Sequence, residues 1–175
     1  MARTMEGIRV IDFGQYVAGP LTAMMLADQG AEVIRVDPPG GPRLKTPANA
    51  TWNRGKRSIV LDLKQPDDRS VARRLVESAD VVIENFRPGV MDGLGLGPAA
   101  MTQANPRLIY CSLPGFADDD PRAGLAAWEG VVAAATDTYR PPPAGGSDQP
   151  VYTAIPIASN FAAFLAAIAV TVALI

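Results

Sequence analysis

Histidine is absent from this 175-residue sequence. With no imidazole, the Ser-His-Asp and Cys-His nucleophile constellations and all His-ligated metal sites are excluded. Cysteine occurs once, as Cys111. A single thiol cannot build an internal disulfide framework and fits a reducing compartment. Neither sign of charge dominates: 16 Lys and Arg stand against 18 Asp and Glu, a formal charge of −2. A chain so balanced is not expected to bind nucleic acid through phosphate contacts alone. The N-terminal stretch MARTMEGIRVIDFG lacks an apolar signal core ahead of its first strand, so no secretory or membrane address is read there and a cytoplasmic location is expected. What remains is 48% hydrophobic and 19% charged, ordinary for an α/β domain. The length suffices for one domain with a real core.

Five short runs rich in Val and Ile read as strands: 8–13, 32–37, 58–63, 81–86 and 108–113. Helical segments lie between them. GPLTAMMLADQG has Pro20 near its start and Gly30 at its end. QPDDRSVARRLVESAD places Val71, Leu75 and Val76 on one face and its charges on the other. The Gly- and Pro-punctuated segment 85–106 predicts two short helical turns. Strands alternating with helices predict βαβ units, a Rossmann-like parallel sheet with helices on both faces. No fixed-period repeat occurs. Beyond Leu113 the texture changes: PGFADDDPRAG and RPPPAGGSDQP are loops by composition, and LAAWEGVVAAATDTY between them reads as a short apolar helix.

The last stretch is apolar from Phe161 to Ile175 apart from Thr171. As a helix it spans about 22 Å at ~1.5 Å per residue, short of the ~30 Å hydrocarbon core of a bilayer. A helix apolar all round is otherwise a buried one, so a core helix is predicted and no membrane contact.

In an open parallel sheet, ligands bind beyond the carboxyl ends of the strands. The first strand runs into GQYVAGP, which is neither G-x-G-x-x-G nor a P-loop. Gly19 permits close backbone approach, and the helix it opens offers free N–H groups to an anion. Arg54, Lys56 and Arg57 precede the third strand, Lys64 follows it, and Asn85, Phe86 and Arg87 end the fourth. Cations with an aromatic and an amide suit a phosphate-bearing nucleotide. The same residues also read as a solvated basic loop and a core phenylalanine. No metal-binding set is read, and Cys111, inside a strand beside Tyr110, reads as an inert buried thiol.

Four segments in order, EGIRVIDFGQYVAGPLTAMMLADQGAEVIRVDPPGG, NRGKRSIVLDLKQPDDR, ADVVIENFRPGVMDGLGLG and NPRLIYCSLPGF, closely resemble the family III CoA-transferases, the CaiB/BaiF family. That family includes formyl-CoA and carnitine CoA-transferases and the fold-sharing α-methylacyl-CoA racemases. The resemblance implies a Rossmann-like large domain, of which residues 1–175 are the N-terminal part, with the chain ending inside a core helix. It also implies an interlocked homodimer or a tandem fusion, with coenzyme A or acyl-CoA and a carboxylic acid as substrates and no permanently bound cofactor. By position, the family's CoA contacts fall at Val17 and Ala18, at Leu61 and Lys64, and at Asn85 and Phe86. Two family cations are replaced, one at Pro38 or Pro39 and one near Gly93. Arg54, Arg57 or Arg87 are the expected substitutes.

The transferases carry their nucleophilic aspartate in a segment like (V/I)PIAD. Here IPIAS puts Ser159 at that position. A carboxylate attacking an acyl-CoA thioester gives a mixed anhydride that CoA can reopen. A serine would give a less reactive ester and would need a base. Ser159 therefore reads as a helix N-cap. Glu129, beside Trp128, is the other candidate carboxylate, or else an acid that caps a helix or fixes a loop. Racemase chemistry, which pairs an acid with a histidine, is not expected. Two functions follow: a CoA-transferase acting through an enzyme-bound acyl or CoA intermediate, or a silent CoA-binding or scaffolding half of a tandem enzyme. A CoA-ester lyase or hydrolase is a third option.

Overall fold

A computed structural model of the protein describes residues 3–139 and 149–175. The loop expected over 140–150 falls, for residues 140–148, outside them. The described chain runs β1 (Arg9–Asp12), α1 (Ala18–Asp28), β2 (Glu32–Asp37), α2 (Pro47–Trp52), β3 (Arg57–Val60), α3 (Pro66–Glu77), β4 (Val81–Glu84), α4 (Val90–Gly93), α5 (Pro98–Ala104), β5 (Ile109–Ser112), α6 (Glu129–Ala135) and α7 (Ile157–Ala173). The strands form one parallel sheet in the order β3-β2-β1-β4-β5. The α/β expectation holds. The order in which strands are added reverses between β1 and β4, the switch point where such folds open a ligand crevice.

Period-two alternation divides the core into two layers. Val10, Val33, Val81 and Ile83 face α1 and α7, packing with Ala23, Leu26 and Val170. Ile11, Val36 and Val82 face the other way, onto Ala72 and Val76 of α3, Met91 of α4 and Met101 of α5. The register fixes this split, since Val10 lies opposite both Val33 and Val81.

Local chemistry sets the element ends. Gly30, at φ 108°, closes α1: its N–H reaches Ala27 O at 2.9 Å and Ala31 N–H reaches Leu26 O at 3.1 Å, a Schellman pair. Pro66 stands at the start of α3, with Asp67 and Asp68 in the first turn and Arg74 in the last, complementing the helix dipole. Helix α2 was not expected, although Thr46 followed by Pro47 is a helix-start signal. Its Trp52 packs toward Leu21, Met24 and Ala163. Strands β3, β4 and β5 are shorter than expected, so Leu61, Asn85 and Phe86 lie just past strand ends rather than within strands.

The deepest polar contact joins three of these elements. Asp12 is fully buried and the Lys56 side chain is 2% exposed. Lys56 Nζ donates to Asp12 Oδ2 at 2.8 Å, to Pro20 O at 2.8 Å and to Asn53 Oδ1 at 2.9 Å. Asp12 Oδ1 accepts the Gly14 N–H at 2.8 Å. Burial pulls the Lys56 pKa below its ordinary value, opposed by the charge of Asp12. All three ammonium protons are used, which is how a buried charge is tolerated.

Helix α7 has two unlike faces. It buries Ala163, Ala166, Ala167 and Val170, while Phe161, Phe164, Leu165, Ile168 and Val172 are each more than half exposed. The small side chains allow close approach to α1, where Thr22 Oγ1 donates to Ala18 O at 2.8 Å and to Ala163 O at 3.4 Å. The bulky side chains point away because, among the described residues, nothing packs on that side. Among the described residues, no helix is long and apolar enough to cross a membrane.

Replacing Lys56 with Met leaves Asp12 charged and unpaired in the core. Urea denaturation should show a loss of about 3–5 kcal/mol; a loss under 1 kcal/mol would mean that the pair is not structural. The apolar face of α7 should make the 1–175 chain self-associate, read by light scattering as a mass above that of the 18.4 kDa monomer. A stable monomer at all concentrations would contradict this.

Candidate functional site

The carboxyl ends of β1 and β4 are joined by one side chain. Asn85 Oδ1 accepts the Gln15 N–H at 2.7 Å, and Asn85 Nδ2 donates to Gln15 O at 2.9 Å. The β1–α1 loop is thereby held against the end of β4. Its turn is tight enough to need glycine: a Cβ on Gly19 would stand 2.6 Å from Gly14 Cα, and one on Gly14 would stand 2.7 Å from Asp12 Oδ1. Tyr16, between them, sits at φ 60°, a left-handed conformation that costs a bulky residue energy. Its ring meets Trp128 edge to face, with centroids 4.8 Å apart. That contact fastens the loop to the start of α6.

Val17 caps α1 through its backbone and Ala18 is the first helical residue; both are half-buried at this edge. Leu61 is buried in the core layer under α3–α5, and Phe86 packs partly buried against the same layer. Lys64 is exposed beyond β3, where Arg69 shapes the turn by donating to Leu63 O at 3.2 Å and Lys64 O at 2.9 Å. The fold thus brings Val17, Ala18 and Asn85 together at the switch point and leaves Lys64 on the β3 flank. Glu84, buried at the end of β4, accepts the Phe86 N–H at 2.8 Å and the Ser112 hydroxyl. Burial raises its pKa despite these bonds. Burial also pushes the Cys111 thiol up to about 11, with the Glu84 charge adding to it, which leaves it inert.

The basic run before β3 is corrected. Its three cations are spent on ion pairs within the fold. Lys56 is consumed by Asp12, Arg54 pairs with Asp28, and Arg57 pairs with Glu32. Of the substitutes expected for the replaced family cations, Arg87 alone remains exposed at a carboxyl end and, among the described residues, without an ion pair, beside Pro88, Gly89, Val90 and Gly124.

The N-terminus of α7 departs most from expectation. Its cap is Pro156, with no side-chain cap from its own segment. Ser159 lies inside the first turn and is not the N-cap. The capping group comes from α6 instead. Glu129 Oε1 accepts the Ala158 N–H at 2.9 Å, and Oε2 accepts both the Ser159 N–H at 2.9 Å and the Ser159 hydroxyl at 2.6 Å. These bonds satisfy two orphan donors of the helix and place negative charge at its positive end. A carboxylate therefore stands at the start of α7, delivered across space. No sequence signal at Ser159 itself points to it; AWEGVV beside an aromatic was the only cue. Among the described residues no His, Cys, Asp and Glu group could hold a metal ion.

An open parallel sheet with a glycine-tight loop clamped at its switch point defines a doubly wound α/β domain, a fold that seats its ligands beyond the carboxyl ends of the strands. The particular family is shown by sequence: the model of CoA-transferase family III matches residues 5–175, and the chain belongs to that family. It is 44% identical over 177 residues to the CoA-transferase/lyase DddD of Marinomonas sp., covering 97% of this chain and 21% of that protein. Human alpha-methylacyl-CoA racemase is 48% identical over 122 residues, covering 70% of this chain and 31% of that protein. Among solved structures, Rv3272 of Mycobacterium tuberculosis superposes with a TM-score of 0.90 at 40% identity, over 99% of this chain and 51% of that one. A CAIB/BAIF family protein of Brucella suis gives 0.89 at 33% identity, over 99% of this chain and 50% of that one. The chain thus spans about half or less of the length of these relatives.

Removing the trans cap should be felt by α7. Glu129→Ala leaves two N–H groups and a hydroxyl without their acceptor and should cost roughly 1–2 kcal/mol by urea denaturation. Ser159→Ala, which removes one hydroxyl bond, should cost less. The reverse order would return the capping role to Ser159.

Proposed function

We propose that this chain is the CoA-binding part of an enzyme that moves CoA between an acyl-CoA and a carboxylic acid through an enzyme-bound intermediate, and that this unit does not itself supply the nucleophile. Membership of the family supports the first half. The observation that carries the second is the Glu129–Ser159 contact. Ser159 donates its hydroxyl to Glu129 and has no imidazole to activate it, since the chain lacks histidine. Glu129 has both oxygens committed, to two helix N–H groups and that hydroxyl. A carboxylate stabilised in this way is a weak nucleophile, because attack on a thioester would surrender the helix cap as the charge left the oxygen. The acyl-CoA lies at the switch point, against Val17, Ala18 and the Asn85-clamped loop, with Lys64 on the flank. Asn85 acts by holding the loop, since its amide is already spent on Gln15.

The nucleophile then belongs to another part of the assembly: the second half of a tandem fusion or another subunit of a dimer. A tandem arrangement is favoured by the relative of which this unit makes up 21%, against 45% for the succinyl-CoA–D-citramalate CoA-transferase of Chloroflexus aurantiacus. Peptide mass spectrometry of the full-length protein after incubation with a panel of acyl-CoAs tests the reading. No acyl or CoA adduct is expected on Ser159 or Glu129, and one on either residue overturns it. Ser159→Asp alone should stay silent, because its carboxylate would face that of Glu129 at hydrogen-bond distance. Ser159→Asp combined with Glu129→Gln should form the adduct.

A further inference from the structure

The end of β4 carries a buried acid that no cation answers. Glu84 is 5% exposed, and among the described residues no Lys or Arg pairs with it. Burial raises its pKa, and the like charge of Asp92 on α4 adds to the shift. A buried charge without a counterion is costly, so the residue is explained by its reach and not by its charge. The two oxygens of its side chain meet two donors on different elements. Oε2 accepts the Phe86 N–H at 2.8 Å, and Oε1 accepts the hydroxyl of Ser112, its register partner on β5.

Glu84 also fixes the backbone on both sides of Asn85. Its main-chain carbonyl accepts the Leu113 N–H at 2.9 Å, which holds the peptide between residues 84 and 85. Its side chain holds the peptide between residues 85 and 86 through the Phe86 N–H. A peptide unit is planar, so pinning one polar atom orients the whole unit. The backbone of Asn85 is thereby set in the position from which its carboxamide meets the Gln15 N–H at 2.7 Å and Gln15 O at 2.9 Å. The pinned N–H also turns the Asn85 carbonyl the opposite way, where no hydrogen bond from the described residues reaches it.

We propose that Glu84 is a positioning residue of the acyl-CoA site: braced on Ser112, it sets the 85–86 peptide and with it the Asn85 clamp on the β1–α1 loop. The inference rests on the CoA-binding reading above. Glu84 acts through Asn85 and touches no ligand itself.

Calorimetric titration of the full-length protein with CoA, beside urea denaturation of the same variants, tests it. Glu84→Gln keeps the reach without the charge. Its carbonyl can take the Phe86 N–H and its amide can donate to Ser112 Oγ, whose hydroxyl then turns to solvent. CoA affinity should stay within about threefold of wild type. Glu84→Asp keeps the charge but is one methylene shorter and cannot span both donors; affinity should fall roughly tenfold. Ser112→Ala, at an exposed position, removes the brace alone and should weaken binding about threefold. A side chain that only stabilised the fold would move the urea midpoint and leave the affinity of the folded protein where it was. If wild type binds CoA and all three variants bind it equally well, the positioning role is wrong and the CoA reading stands. Weaker binding by Glu84→Gln than by Glu84→Asp would mean that charge matters and not reach, which also overturns the role. If wild type binds no CoA at millimolar concentration, the reading and the role fall together.

Discussion

A single buried charge pair sets the conditions for everything at the carboxyl edge. Asp12 ends β1 and points into a region with no solvent; Lys56 reaches it from the segment before β3 and also takes the Pro20 carbonyl and the Asn53 amide oxygen. One ammonium therefore fixes the end of β1, the first turn of α1 and the end of α2 relative to one another. The other Asp12 oxygen holds the Gly14 N–H, so the turn that follows starts from a rigid point. Its desolvation cost is large, and only complete hydrogen bonding makes it tolerable. Such a pair contributes little net stability but permits one arrangement of the loop and few others, and loop placement is what the crevice needs.

From that anchor the site is assembled by pairwise ties between elements distant in sequence. Asn85 fastens the β1–α1 loop to β4, the Tyr16–Trp128 contact fastens it to α6, and Glu129 fastens α6 to α7. The order is from the sheet outward, and each tie presupposes the one before it. The left-handed conformation of Tyr16 is held in place by neighbours on both sides, as strained residues at functional sites must be.

Much of the sheet was legible because strands buried on both faces read as compact Val- and Ile-rich runs between turn residues. Their ends were less so: Leu61, Asn85 and Phe86 continue the apolar or polar texture of the strand while the backbone has already left it. Helix α2 was missed because PANATW carries no apolar periodicity and only its Thr46–Pro47 start is diagnostic. The basic cluster before β3 stayed open between a ligand-facing and a solvated reading, because composition records charge and not the acids, Asp12, Asp28 and Glu32, that each cation meets in the fold. The family was recognisable from four ordered motifs. The partner of Ser159 was not, since residues 129 and 159 meet only through the packing of α6 on α7. A capping role assigned by local spacing was filled by a side chain 30 positions away.

Helix α7 faces two different demands. Its inner stripe of Ala163, Ala166 and Ala167 is buried, with Ala163 packed against Leu21 and Met24 of α1. Its outer row of Phe161, Phe164, Leu165 and Ile168 meets no such limit within these residues. The two rows therefore answer to different constraints. A larger side chain on the inner row has to find room against α1, whereas one on the outer row meets none of the described residues. The helix that begins at the Glu129–Ser159 contact is thus shaped by its own domain on one side, and on the other by whatever surface it meets.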